Sequence, residues 1–520
     1  MSMLRPIAPR PPAAISRSIP APVGGWNTRD ALAAMKEIYA PVLDNFFPDQ
    51  SGCNLRRGTE VHASGMTGAV ESLLVYNSPT TSKMFAANGT AVYDVSSDGA
   101  VGAAVLTAQT NARWQHTCFG TGGTTYLFMC NGADTPQKYN GSAFAATGFS
   151  GSGLTMTTLI HVNVFKQRLF FVEKDSLRCW YGDVSAVSGT LLKLDFADQA
   201  KLGGYLTAMV TWTIDGGSGS DDYAVFLTSN GEAIVYAGTD PAVADSWALK
   251  GVYKIAPPLS RRCFVNYGGD VALMVRDGLI PLSLALTEEQ KGDRRIALSD
   301  IIAPTWSETV RSYGSNYGFE VCLHPTSQMM ICNMPLTTGS RADQYVMNTT
   351  TRAWCRFRNL PANCFAIFNN ELYFGDASGR VQKADTGMGD LSNTVDIVGE
   401  GVTAFNYFGS VTRKKQVTMV RPTIKSDAPL TSLALGVDTD FNIRIPATIP
   451  STLTDTFSTW DVAEWDVAEW AGYLRPQVGW QSVATTPAYS AAVHVKTSTK
   501  IQAVNWVSND LLLIPGSQGP

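Results

Sequence analysis

Charge is scarce in this sequence of 520 residues, because Asp, Glu, Lys and Arg make up only 16% of it, against the usual quarter or so. The formal net charge is −4, which excludes the strongly basic balance of a dedicated nucleic-acid-binding protein. No apolar run approaches the roughly 20 residues of a membrane-spanning helix, so we expect no membrane-spanning segment. The Pro- and Arg-rich beginning lacks the apolar core of a secretory signal. Low charge fits a protein that buries surface against copies of itself, and it fits a plain β-rich protein equally well.

Paired cysteines are also missing. The nine cysteines stand singly, no CxxC occurs, and an odd number leaves at least one without a partner. Most lie in apolar, strand-like runs, where free cysteine behaves as a small hydrophobic residue. We therefore expect free thiols and assembly in a reducing compartment. The nine positions are Cys53, Cys118, Cys130, Cys179, Cys263, Cys322, Cys332, Cys355 and Cys364.

Motifs for catalysis and for ligand binding are absent. There is no G-x-S-x-G elbow, no H-E-x-x-H or paired Cys/His cluster, and no phosphate-binding loop. The Gly-rich segment Asp215–Ser220 is better explained as a surface loop than as a Ca²⁺ site. Asp438 and Asp440 are the nearest local carboxylate pair, and an Asx-turn explains them more simply. We predict no catalytic residue, no metal, no cofactor and no enzymatic activity.

A recurring hairpin dominates the middle of the chain. Apolar runs flank turn signals such as Asn88-Gly89, Asn230-Gly231 and Asp277-Gly278, at a period of roughly 42 to 54 residues. Asn-Gly and Asp-Gly tolerate the positive φ angles of two-residue hairpin turns. Such a period is typical of radially repeated sheets, above all of β-propellers. The clearest units begin at Met84, Tyr126, Leu169, Tyr223, Val271 and Leu372, with further strand pairs in Phe319–Asn333 and Gln344–Phe357.

The length exceeds the roughly 250–300 residues at which a single core stops growing, so several domains are expected. We predict a mainly β protein in three parts. Residues 1–65 form an N-terminal arm and a contact segment, and residues 66–395 form a β-propeller of about six or seven blades. Residues 396–520, where the period is lost, form a smaller β-sandwich-like region.

The N-terminal part is the least generic stretch. Residues 1–25 contain six prolines and predict an extended arm, which either lies on a neighbouring subunit or is a disordered tail. In the next segment, Thr28 or Asp30 is a candidate cap for a short helix that runs to Tyr39. Val42–Phe47 is a strand candidate, and Arg56 with Arg57 gives the segment a local positive charge.

A tandem repeat, WDVAEWDVAEW, occupies residues 460–470. Its five-residue period matches neither helix nor strand, so we predict a turn-rich loop. Its tryptophans either anchor it to the protein body, bind a ligand or contact a partner subunit, and the first is favoured. The surrounding stretch is acidic and carries no base. Its acids are Asp455, Asp461, Glu464, Asp466 and Glu469.

These landmarks resemble a known family. The segments GGWNTRD (24–30), ALAAM (31–35), LDNFFP (43–48) and LRRGTEVHA (55–63) are similar to the N-terminal signature of tail nozzle proteins of short-tailed bacteriophages, also called tail tubular protein B or stabilisation proteins. The segment QVTMVRP (416–422) and the W-D-x-A-x-W-D motif near residue 460 resemble later landmarks of the same group. The resemblance touches both ends of the chain. This chain is shorter than many nozzles, which places elaborate tip domains in doubt.

The resemblance implies a structural protein of the virion tail, assembled in the host cytoplasm. Six copies would form a ring below the adaptor of the head-to-tail connector, extend the DNA ejection channel, and support tail fibres or tailspikes. The implied body lines a tube, with the propeller at the periphery. Genomic DNA would pass without specific binding, since each neutralised phosphate adds affinity.

Two sets of residues are candidates for roles in such a ring. The first is an interface with the adaptor or a neighbouring subunit, or else a solvated surface. The second is the acidic stretch 455–469, a candidate for the lumen or the tip of the channel. The interface candidates are Trp26, Asn27, Arg29, Asp30, Arg56 and Arg57.

Two other classes of function remain open. A propeller enzyme of a phage tail, acting on host surface glycans, would need a groove with converging acids and aromatic residues. A propeller lectin would repeat a sugar pocket in every blade, whereas the repeats here share turns and strand pattern without a common polar signature.

Overall fold

The structure is a computed structural model that describes residues 14–215, 220–287, 297–427, 430, 432–448, 475–476, 479–483 and 485–516. Within these ranges the chain is mainly β, as predicted. Helical segments are short. They are Met156–Thr158, Ala244–Ser246, Leu282–Thr287, Asp300–Ile302, Ala303–Tyr313 and Asp390–Asn393.

The chain divides into two compact units. Unit 1 combines residues 1–57, 353–356 and 388–520, and unit 2 combines residues 58–352 and 357–387. This division differs from the three ranges expected from the sequence, since the N-terminal segment belongs with the C-terminal region. The physical reason is strand pairing: Ile15–Pro20 and Cys53–Leu55 both pair antiparallel with Val504–Pro515.

Unit 2 consists of seven antiparallel meanders, which we number in chain order. The second to fourth have four strands each. All six hairpins expected from the sequence are present as neighbouring strands within the first five meanders and the seventh. The strands of meanders 1 to 3 are Val70–Asn77, Ser82–Asn88, Ala91–Asp94; Gln115–Thr121, Thr124–Cys130, Gln137–Tyr139, Phe144–Ala146; and Leu159–Phe165, Arg168–Glu173, Arg178–Tyr181, Leu192–Asp195.

The strands of meanders 4 to 7 follow the same order. They are Leu206–Asp215, Ser220–Thr228, Glu232–Gly238, Trp247–Lys254; Phe264–Tyr267, Asp270–Val275, Gly278–Pro281; Glu320–His324, Met329–Thr337, Arg341–Asn348; and Ala362–Phe368, Glu371–Asp376, Val381–Ala384. Two-stranded parallel pairs join Phe149–Ser150 to Gly189–Thr190 and Gly99–Ala100 to the strand Thr59–Ser64.

Consecutive meanders pack face to face through apolar cores. Meander 3 meets meander 4 around Phe170 and Phe226, meander 2 meets meander 3 around Phe128 and Phe171, and separate clusters join meanders 1 and 2 and meanders 7 and 1. Such burial of aromatic side chains is the main stabilising term for small sheets. The first strand of each of meanders 1 to 3 contacts the first strand of the next, and Ala362–Phe368 of meander 7 contacts Val70–Asn77 of meander 1.

Meander 7 is completed by a strand from far earlier in the chain. Thr59–Ser64 pairs antiparallel with Val381–Ala384 as its fourth strand. The Thr59 hydroxyl donates a hydrogen bond to Gln382 Oε1 at 2.8 Å, and both side chains are buried. The beginning and the end of unit 2 are therefore held in one sheet.

Unit 1 contains two β-sheet regions. In sheet A, Val504–Pro515 pairs with Lys415–Ser426 on one side and with Ile15–Pro20 and Cys53–Leu55 on the other, and Cys53–Leu55 pairs in turn with Phe46–Pro48. Short strands Arg475–Pro476 and Gln481–Ser482 extend it. Sheet B runs in the order Val42–Asp44, Ile397–Val402, Ala491–Thr499, Leu433–Thr439 and Ala447–Thr448, and Gly25–Trp26 pairs in parallel with Tyr39–Ala40 beside it.

Glycines let the two sheets approach. A Cβ on Gly399 would lie 2.6 Å from Leu55 and 2.9 Å from Phe46, and one on Gly401 would lie 2.6 Å from the Trp506 ring. Large side chains of sheet A thus fill the space above glycines of sheet B. Between the strands Val42–Asp44 and Phe46–Pro48, Asn45 adopts a left-handed conformation (φ 56°), so the single predicted strand is divided between both sheets.

Two expectations for the N-terminal segment are corrected. The described part of the proposed arm, Ile15–Pro20, is a strand of its own unit rather than an arm on a neighbour. The helix expected to end at Tyr39 does not form. The segment makes separate turns instead, with backbone bonds from Ala34 to Ala31 and from Tyr39 to Lys36. The tandem repeat 460–470 and the acidic stretch 455–469 lie outside the described residues.

Candidate functional site

Trp26, the first of the interface candidates, is buried. Its indole N–H donates to the Pro41 carbonyl at 3.2 Å, and the Arg356 guanidinium lies 5.2 Å from its ring. Arg356 also donates twice to the carboxylate of Asp44, at 2.7 and 2.8 Å. Two-point pairing and ring stacking suit a guanidinium in a fixed orientation. Trp26 is therefore part of the internal packing of unit 1.

Asn27 organises the turn that follows. It is fully buried; its Oδ1 accepts hydrogen bonds from the N–H groups of Arg29 and Asp30 at 3.0 Å, and its Nδ2 donates to Asp30 at 2.9 Å. Arg29 donates to Asp30 at 2.9 Å. These two hydrogen bonds, that from Arg29 first, lower the pKa of Asp30, so its carboxylate is charged at neutral pH. The Arg29 side chain is exposed.

Arg56 and Arg57 have opposite environments. The Arg56 side chain is buried and donates to Asp390 at 2.8 and 2.6 Å and to Asn45 Oδ1 at 3.0 Å. Arg57 is exposed, and its carbonyl accepts from Arg56 at 3.1 Å.

The interface candidates therefore separate into two groups. Trp26, Asn27 and Arg56 are occupied within their own unit, so we withdraw them as contact residues. Arg29, Asp30 and Arg57 reach the surface. This surface position is compatible with the expected contact, which stays a prediction.

A second polar group, which the sequence did not indicate, lies in unit 2. In each meander the first strand starts, and the second strand ends, at the same edge of the sheet, because the strands are antiparallel. Side chains at these positions in different meanders meet, and we call the result the central cluster. It comprises Glu71, Ser72, Arg113, Trp114, His116, Arg262, Tyr317 and Glu320.

Arg262 is the main connection in the central cluster. It donates to the Glu71 carbonyl at 3.1 Å, to Ser72 Oγ at 2.6 Å and to the Trp114 carbonyl at 3.1 Å. It also pairs with Glu320 at 3.3 Å. A single guanidinium thus joins groups from the starts of meanders 1, 2 and 6.

Electrostatics in the central cluster follow from burial and pairing. Burial alone would lower the pKa of Arg262, but Tyr317 and Glu320 outweigh it and raise that pKa. Burial raises the pKa of Glu320 despite the attraction of Arg262. Burial, helped by the Arg262 charge, lowers the pKa of His116 to about 4, and the neutral imidazole accepts a hydrogen bond from the Val75 N–H at 3.3 Å. His116 is therefore uncharged at neutral pH beside the charged Arg262.

This arrangement is suited to holding sheets together. Most polar atoms of the central cluster bond to backbone carbonyls or to each other, which leaves few groups for attack on a substrate. Sequence reasoning missed it because its members are far apart in the chain. The adjacent Arg261 and Arg262, ahead of the apolar strand Phe264–Tyr267, were the one local signal.

A third ionic group lies in sheet B. His494 places Nδ1 3.1 Å from Asp438 and Nε2 3.1 Å from Glu400, and Lys496 donates to Glu400 at 2.9 Å. Burial opposes protonation, but the bonds to Asp438 and Glu400 prevail and raise the pKa of His494 to about 9. The hydrogen bond from His494 is the largest cause that lowers the pKa of Glu400, to about 2. No local pattern in the sequence indicates these partners, which lie 56 and 94 positions away from His494.

The described residues contain neither a metal-binding cluster nor a helix that could span a membrane. No group of three or more His, Cys, Asp or Glu side chains there is placed to hold a metal ion. None of the described helices combines the length and the apolar character that crossing a membrane requires. All nine cysteines are free thiols.

Comparison with known proteins gives no family. No protein-family model matches the chain, and no curated protein matches it. Among solved structures, the chain is similar to the computationally designed Ika8 protein (9% identity, TM-score 0.36, 62% of this chain and 99% of that one). It is also similar to a putative 6-phosphogluconolactonase from Bacteroides fragilis (12% identity, TM-score 0.34, 60% and 92%). Likenesses at these scores are too weak to assign a fold or an activity.

Proposed function

We propose that this chain is a structural protein of a bacteriophage tail, the nozzle subunit of a homohexameric ring below the adaptor. In this proposal unit 2 is a seven-bladed β-propeller, with each meander as one blade. The observation that carries the fold is the strand Thr59–Ser64, which joins the last meander while that meander packs on the first. A sheet built from both ends of a repeat array is how radially repeated sheets protect their edges.

The central cluster supports a scaffold rather than a catalyst. Catalytic groups need contact with substrate, whereas Arg262, Glu320 and Ser72 are engaged with neighbouring strands. A propeller by itself says nothing of function, so the role comes from the sequence landmarks at both ends. They are the signature 24–63 and the segment QVTMVRP, which here forms part of the long strand Lys415–Ser426 in sheet A.

Unit 1 would form the tube of the nozzle. It holds residues 24–57 of the signature segment, in which Arg29 and Arg57 are exposed and Asp30 is partly exposed, for contact with the adaptor or the next subunit. A closed ring needs the same heterologous interface six times, and such obligate contacts bury roughly 2,000–5,000 Å². The acidic stretch 455–469, which lies outside the described residues, is the candidate for the lumen or the tip of the channel, where repulsion would keep DNA binding weak.

The deciding experiment is native mass spectrometry with negative-stain imaging of the full chain, alone and mixed with its adaptor. A six-subunit ring, or a ring that forms on the adaptor, supports the proposal. A monomer that stays single with the adaptor and cleaves or retains host polysaccharide would instead identify the alternative, a tail-associated propeller enzyme or lectin. Substitution of all five acids of 455–469 by Lys should slow DNA ejection without blocking assembly.

A further inference from the structure

Four Asn-Gly pairs occur in the chain, and all four lie in unit 2. In this dipeptide the side-chain amide is easily lost to attack by the next backbone nitrogen, because glycine has no Cβ to hinder the approach. The same two residues therefore serve as hairpin turns and as sites of slow chemistry, and the fold decides which of them can react. The pairs are Asn88-Gly89, Asn131-Gly132, Asn140-Gly141 and Asn230-Gly231.

Two of the four asparagines are buried and held by hydrogen bonds. Asn88 Nδ2 donates to the Gly68 carbonyl at 2.6 Å. Asn131 Nδ2 donates to the Asp134 carboxylate at 2.6 Å. Attack on either amide would break a hydrogen bond in a place that water does not reach freely, so both pairs are protected.

Asn230 is exposed, but both groups that would react are occupied. Its Nδ2 donates to the Leu202 carbonyl at 2.8 Å. The N–H of Gly231, which is buried, donates to the Thr228 carbonyl at 3.2 Å. A nitrogen that holds its proton in a hydrogen bond is a poor nucleophile, so this pair is protected as well.

Asn140 differs from the other three. It is exposed in the loop between the strands Gln137–Tyr139 and Phe144–Ala146 of meander 2. Within the described part of the chain, neither its Nδ2 nor the N–H of Gly141 has an acceptor. Its Oδ1, by contrast, accepts hydrogen bonds from the backbone N–H groups of Ser142 at 3.0 Å and Ala143 at 2.9 Å. The leaving nitrogen and the attacking nitrogen are thus both free, while the carbonyl oxygen between them is held by two donors.

We propose that Asn140 is a site of spontaneous deamidation, with water as the co-reactant. Hydroxide takes the proton of the Gly141 nitrogen, which attacks Asn140 Cγ and closes a five-membered succinimide. The bond from Cγ to Nδ2 breaks, and ammonia leaves with a proton from water. Negative charge develops on Oδ1 during the attack, where two N–H donors are already in place to stabilise it. Water then opens the ring at one of its two carbonyls and leaves either aspartate or isoaspartate.

The reaction changes both the charge and the backbone of this loop. Each product replaces a neutral amide by a carboxylate, and isoaspartate also adds one carbon to the main chain. The loop is closed by the Asn140 N–H, which donates to the Ala143 carbonyl at 3.3 Å, so a longer main chain would disturb this bond. The chain thus changes with age at one defined position. This is independent of the proposed role in a phage tail, because it needs only a loop of meander 2.

The test is peptide mapping of the full chain by mass spectrometry after incubation at mildly alkaline pH. Mass distinguishes an acid from its amide, and chromatography separates aspartate from isoaspartate. We expect the peptide with Asn140 to convert at least about tenfold faster than the other three Asn-Gly peptides, because each of those keeps a hydrogen bond worth about that factor. The rate should rise with pH, since the attack needs the deprotonated nitrogen of Gly141.

The matched control is the same chain in guanidinium chloride. Without burial and hydrogen bonds the four pairs should convert at similar rates, so the difference in the folded chain comes from structure rather than from sequence. Asn140→Gln keeps an amide but would need a six-membered ring, and it should abolish the fast conversion of this peptide while the other three stay unchanged. Equal rates at all four pairs in the folded chain would overturn the proposal. So would an Asn140 amide that persists in the folded chain while the denatured chain converts.

Discussion

The guanidinium of Arg56 and the carboxylate of Asp390 form two parallel hydrogen bonds across 334 positions of the chain. Both side chains are buried. The turn that presents Asp390 is unusual, because the three residues after it, Leu391, Ser392 and Asn393, all have positive φ. The pair therefore connects this turn of unit 1 to Arg56 of the signature segment.

Arg56→Met should destabilise unit 1 by about 3–5 kcal/mol, because it leaves the buried carboxylate of Asp390 without its partner. Urea unfolding followed by tryptophan fluorescence measures the change. The double variant Arg56→Met with Asp390→Leu should recover a substantial part of the loss. Equal stability of the wild type and Arg56→Met would show that the pair contributes nothing.

Gly25→Ala should be much more damaging than Gly89→Ala. Both glycines have positive φ, so both changes carry a backbone penalty of about 1–2 kcal/mol. At Gly25, however, the new Cβ would lie 2.5 Å from the Trp354 carbonyl oxygen, whereas nothing lies within 4 Å at Gly89. The difference between the two variants in unfolding free energy measures this contact. Equal losses would mean that the backbone around Trp354 moves freely.

The ionic group of His494 predicts how stability depends on pH. Its folded pKa of about 9 lies above the ordinary value of 6.5, so its contribution is complete below pH 6.5 and is lost as pH rises through 9. The shift corresponds to about 3 kcal/mol. Glu400, with a folded pKa of about 2, loses its contribution as pH falls from about 4.5 to about 2. Both shifts describe one shared contact, so they are not added.

His494→Gln isolates this effect. We expect the unfolding free energies of the wild type and the variant to converge between pH 6.5 and pH 9, since only the wild type loses the imidazolium contact there. Other groups that titrate in the unfolded chain affect both proteins alike and cancel in the difference. Parallel curves over this range would show that His494 is neutral in the folded protein.

Arg262→Met should destabilise unit 2 by about 3–5 kcal/mol, since it removes the largely buried cation that pairs with Glu320 and one hydrogen bond each from the carbonyls of Glu71 and Trp114. Arg113→Met is the comparison, because Arg113 also pairs with an acid, Glu71, but its side chain is 43% exposed. Exposed pairs contribute less than about 1 kcal/mol. Calorimetric unfolding measures both. Similar losses would mean that the central cluster has no special structural role.

The sequence predicted the repeating hairpins well because their information is local. Turn pairs such as Asn88-Gly89 and Asn230-Gly231 fix where each hairpin reverses, and the glycines do adopt positive φ. In most meanders, no Asn-Gly or Asp-Gly pair lies between the first and second strands, so the pairing of the first strand was not evident from the sequence. The described residues contain seven meanders, while their identity as blades of a closed propeller stays a proposal.

Contacts between distant residues could not be read from the sequence. Arg56 bonds to Asp390, Arg262 to Ser72 and His494 to Glu400, across 334, 190 and 94 positions of the chain. No pattern in a single sequence marks such pairs. The candidate caps Thr28 and Asp30 were likewise not enough to predict this segment, which forms turns rather than a helix. The prediction of an extended arm was wrong for Ile15–Pro20 because the partner of this strand lies near the other end of the chain.

The pairing of both ends of the chain in sheet A also sets an order of events during synthesis. Asn54 hydrogen-bonds Asn505, which leaves the ribosome 451 residues later. At about 5–20 residues per second, that delay is roughly 20–90 s, by which time residues 58–387 have all been made. Sheet A is thus completed only after translation has passed Val504, and any factor that recognises it can engage only chains translated at least that far.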